Sequence, residues 1–151
     1  NLLGSAFINE NVDNPYKKML DIIEEDEEPI IHIVDFHAEA TGEKQCLAYA
    51  LDGKVTAVLG THTHVQTQDA QILTNGTAFI SDVGMCGFAD GVLGSTAETV
   101  IPKVLWGELK HFETPKDGRG VFSAVVIEVD DISKKATNIF PIYYLEGKNE
   151  N

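Results

Sequence analysis

The sequence predicts an α/β fold, and three observations carry that reading. Two short apolar runs, Ile30–Phe36 and Val55–Leu59, are rich in β-branched residues and bounded by turn signals, as buried strands are. The segment between them reads as a helix with Thr41 as its cap, running to about Leu51 and closed by Asp52-Gly53. A strand, a helix and a strand with short links form a parallel crossover.

The remaining elements follow in order. Asn1-Leu2-Leu3-Gly4 opens in the manner of a strand already under way, with no leader, so a processed or truncated chain is expected. Asn14-Pro15 starts a helix, with Asn14 as cap and Pro15 in the first turn, and Tyr16, Met19, Leu20 and Ile23 follow at helical spacing. The acidic run Glu24–Glu28 and Pro29 end it. That run reads as a solvated helix end, because it has no histidine beside it. Ala70–Leu73 and Thr77–Ser81, joined by Asn75-Gly76, read as a hairpin, which makes the sheet mixed. Asp82–Gly94 holds four glycines and reads as a loop. Ser95-Thr96-Ala97-Glu98 reads as a capping box for a helix to about Trp106, bent or shortened at Pro102. Three late strands are expected, near Leu109–Glu113, over Gly120–Val129 and over Ala136–Leu145, with Asp130–Lys135 turning between the last two. No repeat or low-complexity segment interrupts the chain, and a single domain is expected over residues 1–151.

Bulk properties narrow the function classes. A net charge of −13 argues against a nucleic-acid backbone or an anionic membrane surface as partner. A small anionic substrate stays compatible, since bound cations would reverse the local sign. The two cysteines, Cys46 and Cys86, form no metal-type spacing and no disulfide framework, so a cytoplasmic setting is the default expectation. No apolar run approaches membrane-spanning length.

Three of the five histidines fall at the carboxyl ends of the two parallel strands: His37, His62 and His64. Ligands of open α/β sheets gather at that edge, and imidazole is the commonest metal-ligand side chain. His62 and His64, two residues apart, share a face in a strand or splay toward two ions in a tight loop. Gly60 is expected to let the backbone pass close to the metals. Surface or capped histidines without a ligand remain the alternative. Asp35, Glu39, Thr61 and Asp82 are candidates to orient those rings or face the site; for Glu39 a plain turn role is equally open. His32 reads as a satisfied core or sheet histidine, His111 as structural or exposed, and Cys86 as inert.

With these residues in hand, the chain resembles the YmdB-like metallophosphoesterases, a branch of the calcineurin-like dimetal phosphoesterases. The matching stretches are Asp35-Phe36-His37-Ala38-Glu39-Ala40-Thr41, Gly60-Thr61-His62-Thr63-His64-Val65-Gln66-Thr67 and Ser81-Asp82-Val83-Gly84-Met85-Cys86-Gly87. The resemblance runs over nearly the whole chain. It implies a C-terminal portion of a four-layer α/β/β/α sandwich. The N-terminal half would supply an Asp ligand, a bridging Glu, an Asn ligand and a His general acid. It implies His37 and His62 on one metal and His64 on the other, two divalent ions of iron or manganese, and no covalent nucleophile. Hydrolysis of a small phosphodiester, such as a 2′,3′-cyclic nucleotide, is the activity implied, with the isolated chain close to inactive. Homo-oligomerisation is a further expectation. A metallo-β-lactamase-type site is disfavoured because Val65-Gln66-Thr67 follows His64, and an amidohydrolase barrel needs a longer chain. A binding or scaffold domain that keeps the fold without the chemistry is the alternative.

Overall fold

The computed structural model describes residues 1–8, 11–27, 30–113 and 115–147. In chain order the elements are β1 (Leu2–Leu3), α1 (Pro15–Glu24), β2 (Ile33–His37), α2 (Thr41–Ala50), β3 (Ala57–Thr61), β4 (Gln71–Ile72), β5 (Ala78–Ile80), β6 (Gly87–Phe88), α3 (Ala97–Trp106), β7 (Gly120–Val129) and β8 (Ala136–Leu145). They fall into two compact units: Asn1–Gly84 with Val125–Pro141, and Met85–Ala124 with Ile142–Asn151. No helix among the described residues is long and apolar enough to cross a membrane.

The first unit is built on a five-stranded sheet in the order β1-β2-β3-β5-β4. β1, β2, β3 and β5 run parallel, and β4 returns antiparallel to β5 at the edge. The predicted crossover is therefore present, with Phe36 beside Gly60 and His37 beside Thr61. The predicted hairpin is present too: Gly76 takes a left-handed φ of 96°, and Leu73 N–H donates to the Thr77 carbonyl at 2.8 Å.

Strand alternation sorts the core onto the two faces of this sheet. Val34, Phe36, Val58 and Phe79 point toward α1 and α2, where they meet Met19, Leu47, Ala48 and Leu51. Ala57, Ala78 and Ile80 point the other way and meet Ala136 and Ile139, with Val125 and Ile127 packed against them. The first unit thus has an α/β/β layering. Each fully buried Phe, Val or Leu contributes roughly 1.5–3 kcal/mol. The second β layer does not extend over β2, whose Ile33 is 49% exposed and whose Asp35 is also exposed.

β7 and β8 form a hairpin whose ends are tied by Asp130 N–H to the Lys135 carbonyl and Glu146 N–H to the Gly120 carbonyl, both at 2.9 Å. The turn is held by Asp130, whose carboxylate accepts from Ser133 N–H and hydroxyl at 2.7 Å. In the second unit β6 pairs antiparallel with β7, and α3 ends on Gly107 in the left-handed region at φ 70°.

Several boundaries differ from the sequence expectation. The strand expected to begin at Ile30 begins at Ile33, because pairing with β3 starts at Ile33↔Ala57; Ile30 and Ile31 are about half exposed. α1 is capped by Asn14 as expected, Lys17 N–H donating to its Oδ1 at 3.0 Å, and it ends at Glu24 with Glu25 as C-cap. Glu28 and Pro29, the end of the acidic run and the expected helix stop, lie outside the described residues. Thr41 is the first residue of α2 rather than its cap, which is Ala40 with no side-chain bond. The capping box at Ser95 does not form. Ser95 is taken up in a tight turn with Val92, so Thr96 becomes the cap. Leu109–Glu113 is not a strand: it pairs with no strand among the described residues, and Leu109 is fully exposed. The loop expected over Asp82–Gly94 contains the short strand β6.

Candidate functional site

The carboxyl edge of β2 and β3 gathers the site, all of it in the first unit. Asp35 and His37 alternate onto the same face of β2, and Thr61 sits beside His37 in the register. Thr61 Oγ donates to Asp35 Oδ1 at 2.9 Å and lies 3.1 Å from His37 Nδ1. A hydroxyl has one proton, and here the carboxylate takes it. Thr61 must therefore accept from the ring, so the network assigns the His37 proton to Nδ1 and leaves Nε2 as a lone pair. Asn1 Nδ2 donates to the other oxygen of Asp35 at 2.8 Å.

His62 is fixed the same way from a different carboxylate. Its Nε2 meets Glu39, which assigns the proton to Nε2. Its Nδ1 then faces His37 Nε2 at 3.2 Å, with the rings edge to face and 5.0 Å between centroids. Two lone pairs cannot face each other at that distance without a cation between them, either a proton or a metal. Two nitrogens bound about 2.0 Å from one tetrahedral ion sit roughly 3.3 Å apart. The donor chemistry and the spacing fit one shared ion. Glu39 holds the far nitrogen of His62, so it orients the ring instead of completing a ligand set. Accordingly, among the described residues no three His, Cys, Asp or Glu side chains form a group that could hold a metal ion.

His64 is not brought into this pair. It is exposed, has a left-handed φ of 65°, and makes no hydrogen bond or ion pair with the described residues. His62 is also at positive φ, 125°. Non-glycine residues at positive φ are uncommon and concentrate at functional sites.

The loop carrying these histidines is held from below by two carboxylates. Asp82 accepts from Thr63 N–H at 2.8 Å and Gly84 N–H at 2.9 Å. Burial works against its ionised form, but those N–H groups, the Thr63 hydroxyl and Lys44 outweigh it and hold its pKa below the ordinary carboxylate value. Asp69 accepts from Ser81 N–H at 3.1 Å, from the Ser81 hydroxyl, and from the Thr67 hydroxyl at 2.6 Å. Burial again opposes ionisation, and these hydrogen bonds again prevail, lowering its pKa.

Gly60 has a packing role. A Cβ there would lie 1.8 Å from the Ser81 carbonyl oxygen and 3.0 Å from Lys44 Cδ. Its bareness serves the packing of β3 against the chain at Ser81, and the stem of Lys44 lies beside it. Lys44, 1% exposed, was not expected as a site residue. The signal was present: Lys44, Leu47, Ala48 and Leu51 share the buried side of α2, and a lysine on an apolar helix face needs a partner. Asp69 and Asn1 carried no comparable signal.

The other histidines and cysteines lie outside the cluster. His32 Nε2 pairs with Asp26 at 2.8 Å, half-buried and satisfied, but just before the strand begins. His111 is exposed, as are both free cysteines.

A mostly parallel sheet with carboxylate-oriented imidazoles at its carboxyl edge defines an α/β domain whose candidate site lies on that rim. More specifically, the chain belongs to the YmdB-like protein family, whose model matches residues 1–142. It is 46% identical over 140 residues to the 2′,3′-cyclic-nucleotide 2′-phosphodiesterase of Bacillus subtilis, covering 92% of this chain and 52% of that protein. Two crystal structures superpose on it with a TM-score of 0.86. One is a novel phosphatase of Mycoplasma pneumoniae, 38% identical, covering 95% of this chain and 51% of that one. The other is a hypothetical protein of Thermus thermophilus, 36% identical, covering 95% of this chain and 55% of that one. The chain spans about half the length of these relatives.

Proposed function

We propose that this chain carries part of the active site of a metal-dependent phosphoesterase, acting on small phosphodiesters of the 2′,3′-cyclic-nucleotide type. One observation carries the reading: His37 Nε2 and His62 Nδ1 lie 3.2 Å apart, a spacing that fits one shared ion, with each ring's far nitrogen held by a carboxylate, Glu39 directly and Asp35 through Thr61. The named activity of the Bacillus subtilis relative supports the substrate class.

In this reading His37 and His62 hold one divalent ion and His64 a second, with iron or manganese the favoured metals. Two such ions, when bound, lower the pKa of a water and neutralise phosphoryl oxygens. Asp35 through Thr61, and Glu39 directly, orient the two rings and set which nitrogen is open. The remaining ligands and the general acid belong to a preceding half of the protein, within a four-layer calcineurin-like sandwich. The isolated chain then binds metal weakly and turns over little or no substrate. A cytoplasmic setting and a homo-oligomer remain part of the proposal. The scaffold reading rests on one observation, the lack of a three-ligand group among the described residues.

The test is metal stoichiometry by elemental analysis after anaerobic loading with iron or manganese, with His62→Ala/His64→Ala as control. Weak binding that disappears in the control is the expected result. Binding that the control leaves unchanged refutes the metal reading and favours the scaffold. Robust turnover by the chain alone refutes the half-site.

A further inference from the structure

We propose that the buried Lys44–Asp82 ion pair is the positioning device of the histidine loop. The inference deepens the metal-site reading above by naming what fixes the loop from within the fold.

Lys44 rises from the buried side of α2, and its Nζ reaches Asp82 Oδ2 at 3.2 Å, both side chains 1% exposed. Its stem passes Gly60, whose Cβ would lie 3.0 Å from Lys44 Cδ and, more severely, 1.8 Å from the Ser81 carbonyl oxygen, next to Asp82 in the chain. The same Asp82 oxygen accepts from Thr63 N–H at 2.8 Å, and the other accepts from Gly84 N–H at 2.9 Å. Thr63 is the residue between His62 and His64, both at positive φ. One carboxylate therefore grips the backbone at the middle of the strained turn. Thr67 completes the frame: its hydroxyl accepts from Asp82 N–H at 2.9 Å and its own N–H donates to the Asp82 carbonyl at 3.0 Å.

An ion pair withdrawn from water loses much of its attraction to lost hydration, so it is a poor source of stability and a better means of specifying one geometry. That specificity is what a strained, ligand-bearing turn needs. A neutral group at position 44 would leave Asp82 buried without its counter-charge. An amide at position 82 has one acceptor oxygen where the carboxylate has two, so it cannot serve both N–H groups. Lys44 touches neither histidine; it acts through Asp82 and the Thr63 amide.

The test combines amide hydrogen exchange of this chain with Mn²⁺ affinity from EPR of free Mn²⁺, for Asp82→Asn and Lys44→Met. The expected result is exchange at Thr63 and Gly84 at least about tenfold faster, with Val58 and Phe79 in the core unchanged and Mn²⁺ affinity reduced by a similar factor. Unchanged protection at Thr63 and Gly84 in a folded variant overturns the proposal. So does a uniform loss of protection across the sheet in Asp82→Asn, which marks a purely structural pair. Where Lys44→Met fails to fold, Asp82→Asn alone decides. Selective loss at Thr63 and Gly84 with Mn²⁺ affinity unchanged upholds the positioning role and refutes the histidines as ligands, so the two readings fail separately.

Discussion

The two ends of the β2–β3 pair each present a histidine paired with a carboxylate, and only one of them belongs to the candidate site. At the amino end His32 meets Asp26, with side chains 15% and 27% exposed. At the carboxyl end, in the loop after β3, His62 meets Glu39, with side chains 34% and 49% exposed. Burial and pairing alone would choose the wrong one. The difference lies in the other ring nitrogen. His62 Nδ1 faces a second imidazole whose lone pair is fixed toward it. His32 lines a hollow whose other charged groups are Asp26, Glu27, Lys54, Lys134 and Lys135, with no second imidazole in its lining. A histidine–carboxylate pair becomes a ligand position when its free nitrogen converges on another donor.

The largest test of this contrast removes a ring at each end. His37→Ala should lower Mn²⁺ affinity by at least about a hundredfold, the upper end of losses from outer partners, while His32→Ala should leave it unchanged. Equal effects in a Mn²⁺ titration of the two variants would erase the distinction. Next in size is the orienting carboxylate. Glu39→Gln should weaken Mn²⁺ binding by about 10–100-fold. Asp26→Asn should leave it unaltered and change stability by less than about 1 kcal/mol, as for a partly exposed pair.

The smallest effect is on acid stability. Asp69 and Asp82 both have folded pKa values below the unfolded value of 3.8. The unfolded chain therefore takes up these protons first as pH falls. The stability they contribute is fully present above pH 3.8 and is lost as pH falls through their lower folded values. Urea unfolding across that window should show a shallower pH dependence for Asp69→Asn than for the parent chain. The carboxyl edge would then be the acid-sensitive end of the sheet.

The parallel crossover and the placing of His37 and His62 were legible because strand ends and short links leave few arrangements. Thr61, Asp35 and Glu39 followed from proximity to those histidines. What was not legible depends on partners distant in sequence. The start of β2 is set by where β3 begins, and no property of Ile30–His32 encodes that. Ser95 has every feature of a cap and loses the role to a turn with Val92. Leu109–Glu113 reads as a short strand but pairs with none among the described residues; Phe112 instead takes Lys103 over its ring at 4.2 Å. Lys44 is polar on any scale, and only the chain folding Asp82 onto it makes a buried position tolerable.

The Asp35–Thr61–His37 contact has one more property, which is polarity. Each proton in it points toward the carboxylate, so the relay has a sense of direction, and Asp35 sets it. An amide in place of Asp35, donating to the hydroxyl, would turn the Thr61 proton toward the ring. His37 would then spend its lone pair at Nδ1, and its Nε2 would carry the proton. A carboxylate that does not touch the ring thereby decides which side of the imidazole is open to a cation, as a switch at one end of a wire decides the state at the other.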